Sequence, residues 1–163
     1  MKFPDTLVIW GTLVLALLLT AAHLPAAAPE VLAWIRPDWA AMVLLYWVMA
    51  VPQRVGMVTA WCLGVLVDSL TGSLLGQHAL GFVIIAFVGL SMYERLRMYS
   101  LLQQALIVFF TIALARLLGF WIDVMVRGVS WTPQILLSAV TSAMLWPFVF
   151  TLLRALRRRF RIA

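Results

Sequence analysis

Residues 64–76 read GVLVDSLTGSLLG, an apolar run with one carboxylate, Asp68, in its middle. The chain on both sides of this stretch is also apolar. A charged side chain at the centre of an inserted helix costs about 3 kcal/mol, so such an acid is normally sheltered by protein. The stretch therefore predicts a membrane helix whose acidic face packs against another part of the chain.

Composition extends this prediction to the whole chain. Of 163 residues, 65% are hydrophobic and 11% are charged, and the mean hydropathy is +1.06. A soluble domain carries charge on about a quarter of its residues. The apolar runs are long and lack the alternation of membrane β-strands. The sequence thus predicts an all-α integral membrane protein.

Six apolar segments are candidates for crossing the bilayer, which takes about 20 helical residues. The second is short, lying between a break at Arg36-Pro37 and the turn Pro52-Gln53-Arg54. It is expected to borrow part of the preceding VLAWI or to lie where the bilayer is thin. The predicted helices cover residues 7–22, 38–51, 55–75, 79–92, 101–126 and 133–153. They form one polytopic domain over residues 1–163, with a basic cytoplasmic tail over residues 154–163.

The distribution of basic residues predicts that both termini are cytoplasmic. Six crossings leave Arg36 and Arg127 outside, Arg116 within a helix, and the other nine basic residues inside, as the positive-inside rule favours. Those nine are Lys2, Arg54, Arg95, Arg97, Arg154, Arg157, Arg158, Arg159 and Arg161. The five arginines of the tail are expected to bind anionic lipid headgroups, at about 1 kcal/mol each. The net charge of +6 is thus attributed to the membrane surface and not to nucleic acid.

Small residues recur every four positions around Asp68. Ala60, Gly64, Gly72 and Gly76 share a helical ridge with the acid, and such small residues let helix backbones pack closely. Asp68 is open to two interpretations, a proton relay or ligand contact and a hydrogen-bonded structural acid at a helix crossing or end. The structural interpretation is favoured because relays need several titratable groups and this acid stands alone.

A partner for Asp68 can be inferred from the depth of each charged residue in the bilayer. At 1.5 Å per residue, Asp68 and Arg116 lie about 20 Å and about 24 Å from the inner ends of their helices. The sequence therefore predicts a buried ion pair between them, with Asp123 as the alternative partner of Arg116 on the same helical face. Gly72, Gly76 and Gly81 around Gln77-His78 are typical of a helix end and tight turn on the outer side, and His78 is expected there in an exposed loop.

Sites for catalysis are scarce in this sequence. The two histidines, His23 and His78, stand in no metal-ligand or nucleophile–base pattern, and the single Cys62 allows no internal disulfide. No enzyme activity, metal or cofactor is therefore expected. Trp47, Trp121 and Trp146 lie in or near apolar helices, where they either fill the core or line a groove for another helix.

Four stretches together resemble the rod shape-determining membrane protein MreD family. They are RPDWAAMVLLYWVMAVPQRVG (36–56), LGVLVDSLTGSLLGQHALG (63–81), RLRMYSLLQQALIV (95–108) and SAMLWPFVFTLLRALRRRFR (142–161). The resemblance implies a multi-pass protein of the bacterial cytoplasmic membrane with a fold similar to the six-helix substrate-binding subunits of energy-coupling-factor vitamin transporters. It also implies structural or partner-contact roles for Arg36, Pro37, Asp38, Tyr46, Trp47, Pro52, Arg54, Asp68, Gly72, Gly76, Trp146 and Pro147.

The same resemblance implies partners. The family pairs with MreC, a single-span protein, and acts with the MreB filament, RodA and its partner transpeptidase in cell elongation. The sequence is thus interpreted as a non-catalytic scaffold that binds the transmembrane helix of MreC and helps to regulate lateral wall synthesis. The alternative is a membrane-embedded small-molecule-binding subunit of a vitamin-type transporter, whose polar pocket would use Asp38, Asp68, Gln77, His78 and Arg116.

Overall fold

The computed structural model describes residues 3–22, 30–128, 130 and 132–160, and within these ranges the protein is helical without strands. The helices are α1 (Phe3–Ala21), α2 (Glu30–Ile35), α3 (Trp39–Ala50), α4 (Met57–Thr71), α5 (Gln77–Met98), α6 (Leu101–Arg127), a 3-10 helix (Pro133–Leu136) and α7 (Leu137–Arg159). The predicted all-α class is confirmed.

Three helical segments are long and apolar enough to cross a membrane. They are α5, α6 and the segment Gln134–Arg159 that contains α7, while α1, α3 and α4 are shorter apolar helices. Every segment predicted to cross the bilayer therefore forms a helix. The protein is an integral membrane protein with these six helices as its bundle.

The shortest of the six helices, α3, lies at the centre of the bundle. All its residues from Ala40 to Ala50 are buried, and α1, α5 and α7 pack around it. Twelve residues rise only about 18 Å along a helix. Since α3 is enclosed by protein, its length does not have to match the hydrocarbon layer. The separate α2 precedes it, and the two are divided at Arg36-Pro37, as the sequence predicts.

The ridge of small residues contains one very close helix crossing and two turn residues. A Cβ atom added to Gly64 would lie 2.2 Å from Cα of Ala79, so the backbones of α4 and α5 touch there. Gly72 and Gly76 have no neighbour at the corresponding position, and their φ angles are 66° and 100°. Their expected role in helix packing is wrong, whereas the helix end and tight turn predicted at these glycines are confirmed. Both glycines instead allow the left-handed backbone of the turn between α4 and α5.

Helix ends differ from the predicted bounds for identifiable reasons. Helix α4 stops at Thr71, before the predicted end, because Gly72 adopts the left-handed conformation and closes it. Helices α5 and α7 run on to Met98 and Arg159. Most of the predicted basic tail is therefore the last turns of α7, and Arg161 lies outside the described residues.

One end of the bundle, called the basic end below, collects most of the described arginines. It comprises the starts of α1, α4 and α6, the ends of α3, α5 and α7, and the residues Arg54, Arg95, Arg97, Arg154, Arg157, Arg158 and Arg159. Arg97 donates hydrogen bonds to the last carbonyls of α3, at Met49 (2.8 and 3.1 Å) and Ala50 (2.9 Å). This contact satisfies carbonyl groups that a helix terminus leaves unpaired.

A second side chain closes the basic end from within the bundle. The Gln104 amide donates to the carbonyls of Leu96 (2.9 Å) and Tyr99 (3.2 Å), where α5 ends. Its oxygen accepts a 3.1 Å hydrogen bond from Nε1 of Trp146. Gln104 therefore connects α5, α6 and α7 through hydrogen bonds made by both the nitrogen and the oxygen of its side-chain amide.

Candidate functional site

A cavity of about 530 Å³ opens at the opposite end of the bundle, called the cavity end below. Helices α1, α4 and α6 end there, and α3, α5 and α7 begin there. The ionisable and amide side chains that line it are Arg36, Asp38, Gln77, His78, Arg116, Asp123 and Arg127. Trp34, Phe82 and Phe120 add aromatic surface. Polar groups from several helices therefore converge on one space.

Asp68 lies just behind this wall and organises the turn between α4 and α5. Its Oδ1 atom accepts hydrogen bonds from the Ser73 hydroxyl (2.8 Å) and the His78 backbone N–H (2.9 Å). Oδ2 accepts from the Gly76 N–H at 2.9 Å. Because Gly76 has no side chain to cap α5, the carboxylate of α4 takes over that task. This arrangement agrees with the interpretation of Asp68 as a structural acid at a helix end.

His78 is the one titratable partner of Asp68 among the described residues. Its Nδ1 atom lies 2.8 Å from Oδ1 of Asp68, and its side chain is 21% exposed. The expectation of an exposed loop residue is wrong, because α5 begins at Gln77 and holds His78 in its first turn. The ring therefore forms part of the cavity wall, with the buried carboxylate behind it.

The ion pair predicted between Asp68 and Arg116 is not formed. Arg116 Nη2 lies 3.1 Å from Oδ2 of Asp38, whereas Asp68 is occupied by its own turn. Asp68 and Arg116 both lie toward this end of the bundle, as their predicted depths in the bilayer require. Asp38 is the partner because the break before α3 carries its carboxylate into the bundle, which hydropathy alone does not show.

Asp38 also begins α3, together with two hydroxyl groups from other helices. Its carboxylate accepts a 3.3 Å hydrogen bond from the Ala41 N–H, and its own N–H donates to Ser142 Oγ at 2.8 Å. Thr20 Oγ1 accepts from the Ala40 N–H at 3.1 Å. Sequence reasoning missed Thr20 and Ser142, because a hydroxyl in an apolar helix ordinarily bonds only within its own helix.

A second polar group joins α5 to α6. The Gln77 amide donates to Asp123 Oδ2 (2.6 Å) and to the Gly119 carbonyl (3.1 Å). Asp123 Oδ1 is 3.7 Å from Arg127 Nη1. Asp123 is therefore not the partner of Arg116 either, although the sequence correctly placed both on one face of α6.

Arg36 closes the side of the cavity that lies next to α1. Its guanidinium donates hydrogen bonds to the carbonyls of Leu19 and Ala22, where α1 ends. Pro37 also lines the cavity. The Arg36-Pro37-Asp38 motif identified in the sequence is thus one wall of this site.

The other residues identified in the sequence lie away from the cavity. Trp47 and Trp146 are fully buried, with indole nitrogens bonded to Thr12 (2.9 Å) and Gln104 (3.1 Å). Trp121 is 60% exposed. The two buried tryptophans fill the core, and the third faces outward. Tyr46 is also in the core, Pro147 lies inside α7, and Pro52 and Arg54 lie in the turn before α4.

The lining of the cavity carries polar and aromatic groups that can recognise a molecule. Within the ranges that the structure describes, no three His, Cys, Asp or Glu residues are grouped as metal ligands. Four of the five residues predicted for a polar pocket line the cavity, and the fifth, Asp68, fixes His78 from behind. The arrangement offers charged pairs, an amide and aromatic rings around a space large enough for a small molecule.

Comparison with known proteins gives a consistent result. A family profile described as rod shape-determining protein MreD matches residues 1–156. The rod shape-determining protein MreD of Haemophilus influenzae is 36% identical over 128 residues, which cover 78% of this chain and 79% of that protein. No solved structure matches this chain. Similarity to the vitamin-transporter subunits therefore stays a prediction.

Proposed function

Since this chain belongs to the rod shape-determining protein MreD family, we propose that it acts in shape determination as a non-catalytic scaffold. It binds the transmembrane helix of MreC within the bacterial cytoplasmic membrane. Through MreC it influences lateral wall synthesis by the MreB filament, RodA and its partner transpeptidase. The observation that supports a helix-binding role is an unused glycine on the surface of α1.

Glycines within helices otherwise serve contacts inside the bundle. An added Cβ on Gly64, Gly81, Gly89 or Gly119 would meet a neighbouring element within 3.4 Å, whereas one on Gly11 would meet nothing within 4 Å. Glycine costs about 1 kcal/mol relative to alanine in a helix interior. A helical glycine in a membrane protein commonly permits close approach of another helix. Gly11 provides that opening on the outside of α1.

The surface around Gly11 suits a transmembrane partner. Trp10, Val14 and Leu18 are exposed on the same side of α1, with exposed fractions from 47% to 57%. Apolar exposure alone is what lipid requires of any membrane protein. The combination of a glycine with flanking large side chains additionally gives a shape into which one helix can fit. We assign this face of α1 to the MreC helix.

The experiment is co-purification of the full-length protein with MreC from membranes. Association should survive removal of the periplasmic part of MreC and fail when its spanning helix is replaced by an unrelated apolar helix. Gly11→Leu should lower the recovered MreC by about tenfold, a loss of roughly 1.4 kcal/mol. Its matched control is Ser91→Leu, which adds a side chain at an exposed position of α5.

Two results would contradict the proposal. One is full recovery of MreC after its spanning helix has been replaced. The other is equal recovery with Gly11→Leu and Ser91→Leu, which would move the contact away from α1 and remove the observation on which the proposal depends.

We further propose that the basic end faces the cytoplasm, with both termini on that side. Arginines at this end outnumber those at the cavity end, as the positive-inside rule favours. Arg154, Arg157 and Arg158, in the last turns of α7, would lie at the headgroups of anionic lipids. Reporter fusions at each terminus test this orientation, and termini on opposite faces would contradict it.

A further inference from the structure

The cavity is too large to be a packing defect. Protein interiors are close-packed, and voids larger than a water molecule are few. A space of about 530 Å³ falls within the roughly 300–1,000 Å³ of small-molecule sites. Such a space is also not needed to join helices, because at the basic end α3, α5 and α6 are joined by side chains folded onto backbone carbonyls.

Unpaired polar atoms concentrate at this cavity. Among the described residues, the buried side-chain atoms without a hydrogen-bond partner are Gln77 Oε1, Arg116 Nε and Asp123 Oδ1. All three residues line the cavity. Together they leave two acceptors and one donor unused in the wall around this cavity, which makes that wall less fully bonded than the rest of the described bundle.

The charges of the wall are already compensated by one another. Asp38 offsets Arg116, Asp123 lies beside Arg127, and Asp68 contacts the His78 ring. Arg36 is bonded to carbonyls at the end of α1, where the helix dipole is negative. An ion of one sign would lose hydration without meeting an excess of the opposite charge. A molecule without net charge avoids that cost.

Aromatic groups define the remaining part of the wall. Phe82 and Phe120 are buried, and the ring of Phe82 meets the His78 ring edge to face at 6.4 Å between centroids. Trp34 lies on the same cavity. Rings of this kind favour a flat or apolar portion of a bound molecule. Polar and aromatic groups thus border the same partly open space.

We propose that the cavity is a binding site for a small organic molecule of zero net charge that carries polar hydrogen-bonding groups and an apolar portion. The Arg116–Asp38 and Asp123–Arg127 pairs orient its dipole, since Arg116 and Asp123 are seven residues, or about 10 Å, apart along α6. Gln77 supplies the amide contact. The site is separate from the α1 face assigned to MreC.

Native mass spectrometry tests this proposal on the full-length protein, purified in mild detergent from cells that lack MreC. The expected result is a non-covalent organic adduct, smaller than a phospholipid, whose formula corresponds to zero net charge at neutral pH. Thr71→Trp, which places an indole in the cavity wall, should lower its occupancy by about tenfold, or roughly 1.4 kcal/mol. Ser69→Trp is the matched control.

The control lies in the same turn of α4 as the test variant but away from the cavity, although only Thr71 also contacts the Ser73 hydroxyl, at 3.1 Å. Ser69 and Thr71 both lie near the end of α4 and bond to the carbonyl four residues earlier, but only Thr71 lines the cavity. If Thr71→Trp fails to fold, Thr132→Trp narrows the cavity from the loop before the 3-10 helix. Absence of an adduct, an ionic adduct, or equal occupancy in the plugged variant and Ser69→Trp would overturn the proposal.

The same preparation separates this proposal from helix binding. Because the cells lack MreC, failure of the MreC contact cannot remove the adduct. Conversely, Thr71→Trp should leave MreC co-purification unchanged in cells that contain it. A cavity found filled by a peptide segment of MreC, and by no small molecule, would overturn the assignment.

Discussion

The two ends of the bundle solve the same problem in different ways. Each end contains three helix starts and three helix ends, whose backbone groups lack partners within their own helix. At the basic end, Arg97 and Gln104 fold back onto carbonyls of α3 and α5. At the cavity end, Asp68 and Asp38 satisfy the starts of α5 and α3, while further charged side chains pair across an open space.

This difference suggests that the basic end contributes mainly to stability and that the cavity end also contributes to recognition. At the basic end, side chains bonded to backbone carbonyls close the ends of α3 and α5. At the cavity end, side chains also bond to one another around a cavity, and the unsatisfied buried side-chain atoms of the described residues all belong to that end. The capping acids are therefore expected to matter for folding, and the ion pairs around the void to matter less.

The largest effect is expected at the helix crossing below the cavity end. Gly64→Ala places a methyl group against the Ala79 backbone, where the added Cβ would lie 2.2 Å from Cα. Helices α4 and α5 must separate, at a cost of about 3 kcal/mol in the free energy of unfolding. An SDS titration in mixed micelles measures this change. Gly11→Ala, at an open helical position, should be neutral or stabilising, and equal effects of the two variants would contradict the crossing.

The second largest effect is expected when Asp68, the cap of α5, is replaced. Asp68→Asn keeps the shape but turns one acceptor oxygen into a donor that faces N–H groups, so the free energy of unfolding should fall by about 2 kcal/mol. The same SDS titration measures it. Asp123→Asn, at a partly exposed carboxylate, is the control and should cost less than half as much. A neutral Asp68→Asn would show that the cavity end does not depend on its buried acid.

A smaller loss of stability is expected at the basic end. Arg97→Gln removes three hydrogen bonds to the end of α3, and should lower the free energy of unfolding by about 1 kcal/mol. Thermal unfolding in detergent measures this loss against Arg95→Gln, an exposed neighbour in the same turn. If both variants unfold alike, closure of this end by side chains bonded to backbone is not stabilising.

The smallest effect distinguishes the two possible partners of Arg116. A double-mutant cycle of Asp38→Asn with Arg116→Gln should give a coupling energy of about 0.5 kcal/mol, because the guanidinium is one-third exposed and screened by solvent. The cycle of Asp68→Asn with Arg116→Gln should be additive. A larger coupling energy for Asp68 with Arg116 than for Asp38 with Arg116 would instead support the ion pair predicted from the sequence.

Sequence reasoning succeeded for the helices and for the glycine turn, and failed for contacts between side chains of different helices. The six helices and the packing role of Gly64 follow from apolar length and the spacing of small residues. The helix end and turn at Gly72 and Gly76 follow from the cluster of glycines there, although the same spacing of four also assigned both glycines wrongly to helix packing. His78 was misplaced because the start of α5 is capped by Asp68 from another helix.

The sequence by itself determined the class of protein, its helices and the end at which the arginines gather, because burial in lipid is governed by the hydropathy and length of each segment. Only the tertiary structure decided which charges meet. Pairing depends on distances between atoms from separate helices. The break of three residues before α3 places Asp38 next to Arg116, whereas Asp68 bonds to groups of its own turn. The cavity between these groups likewise exists only in the assembled bundle.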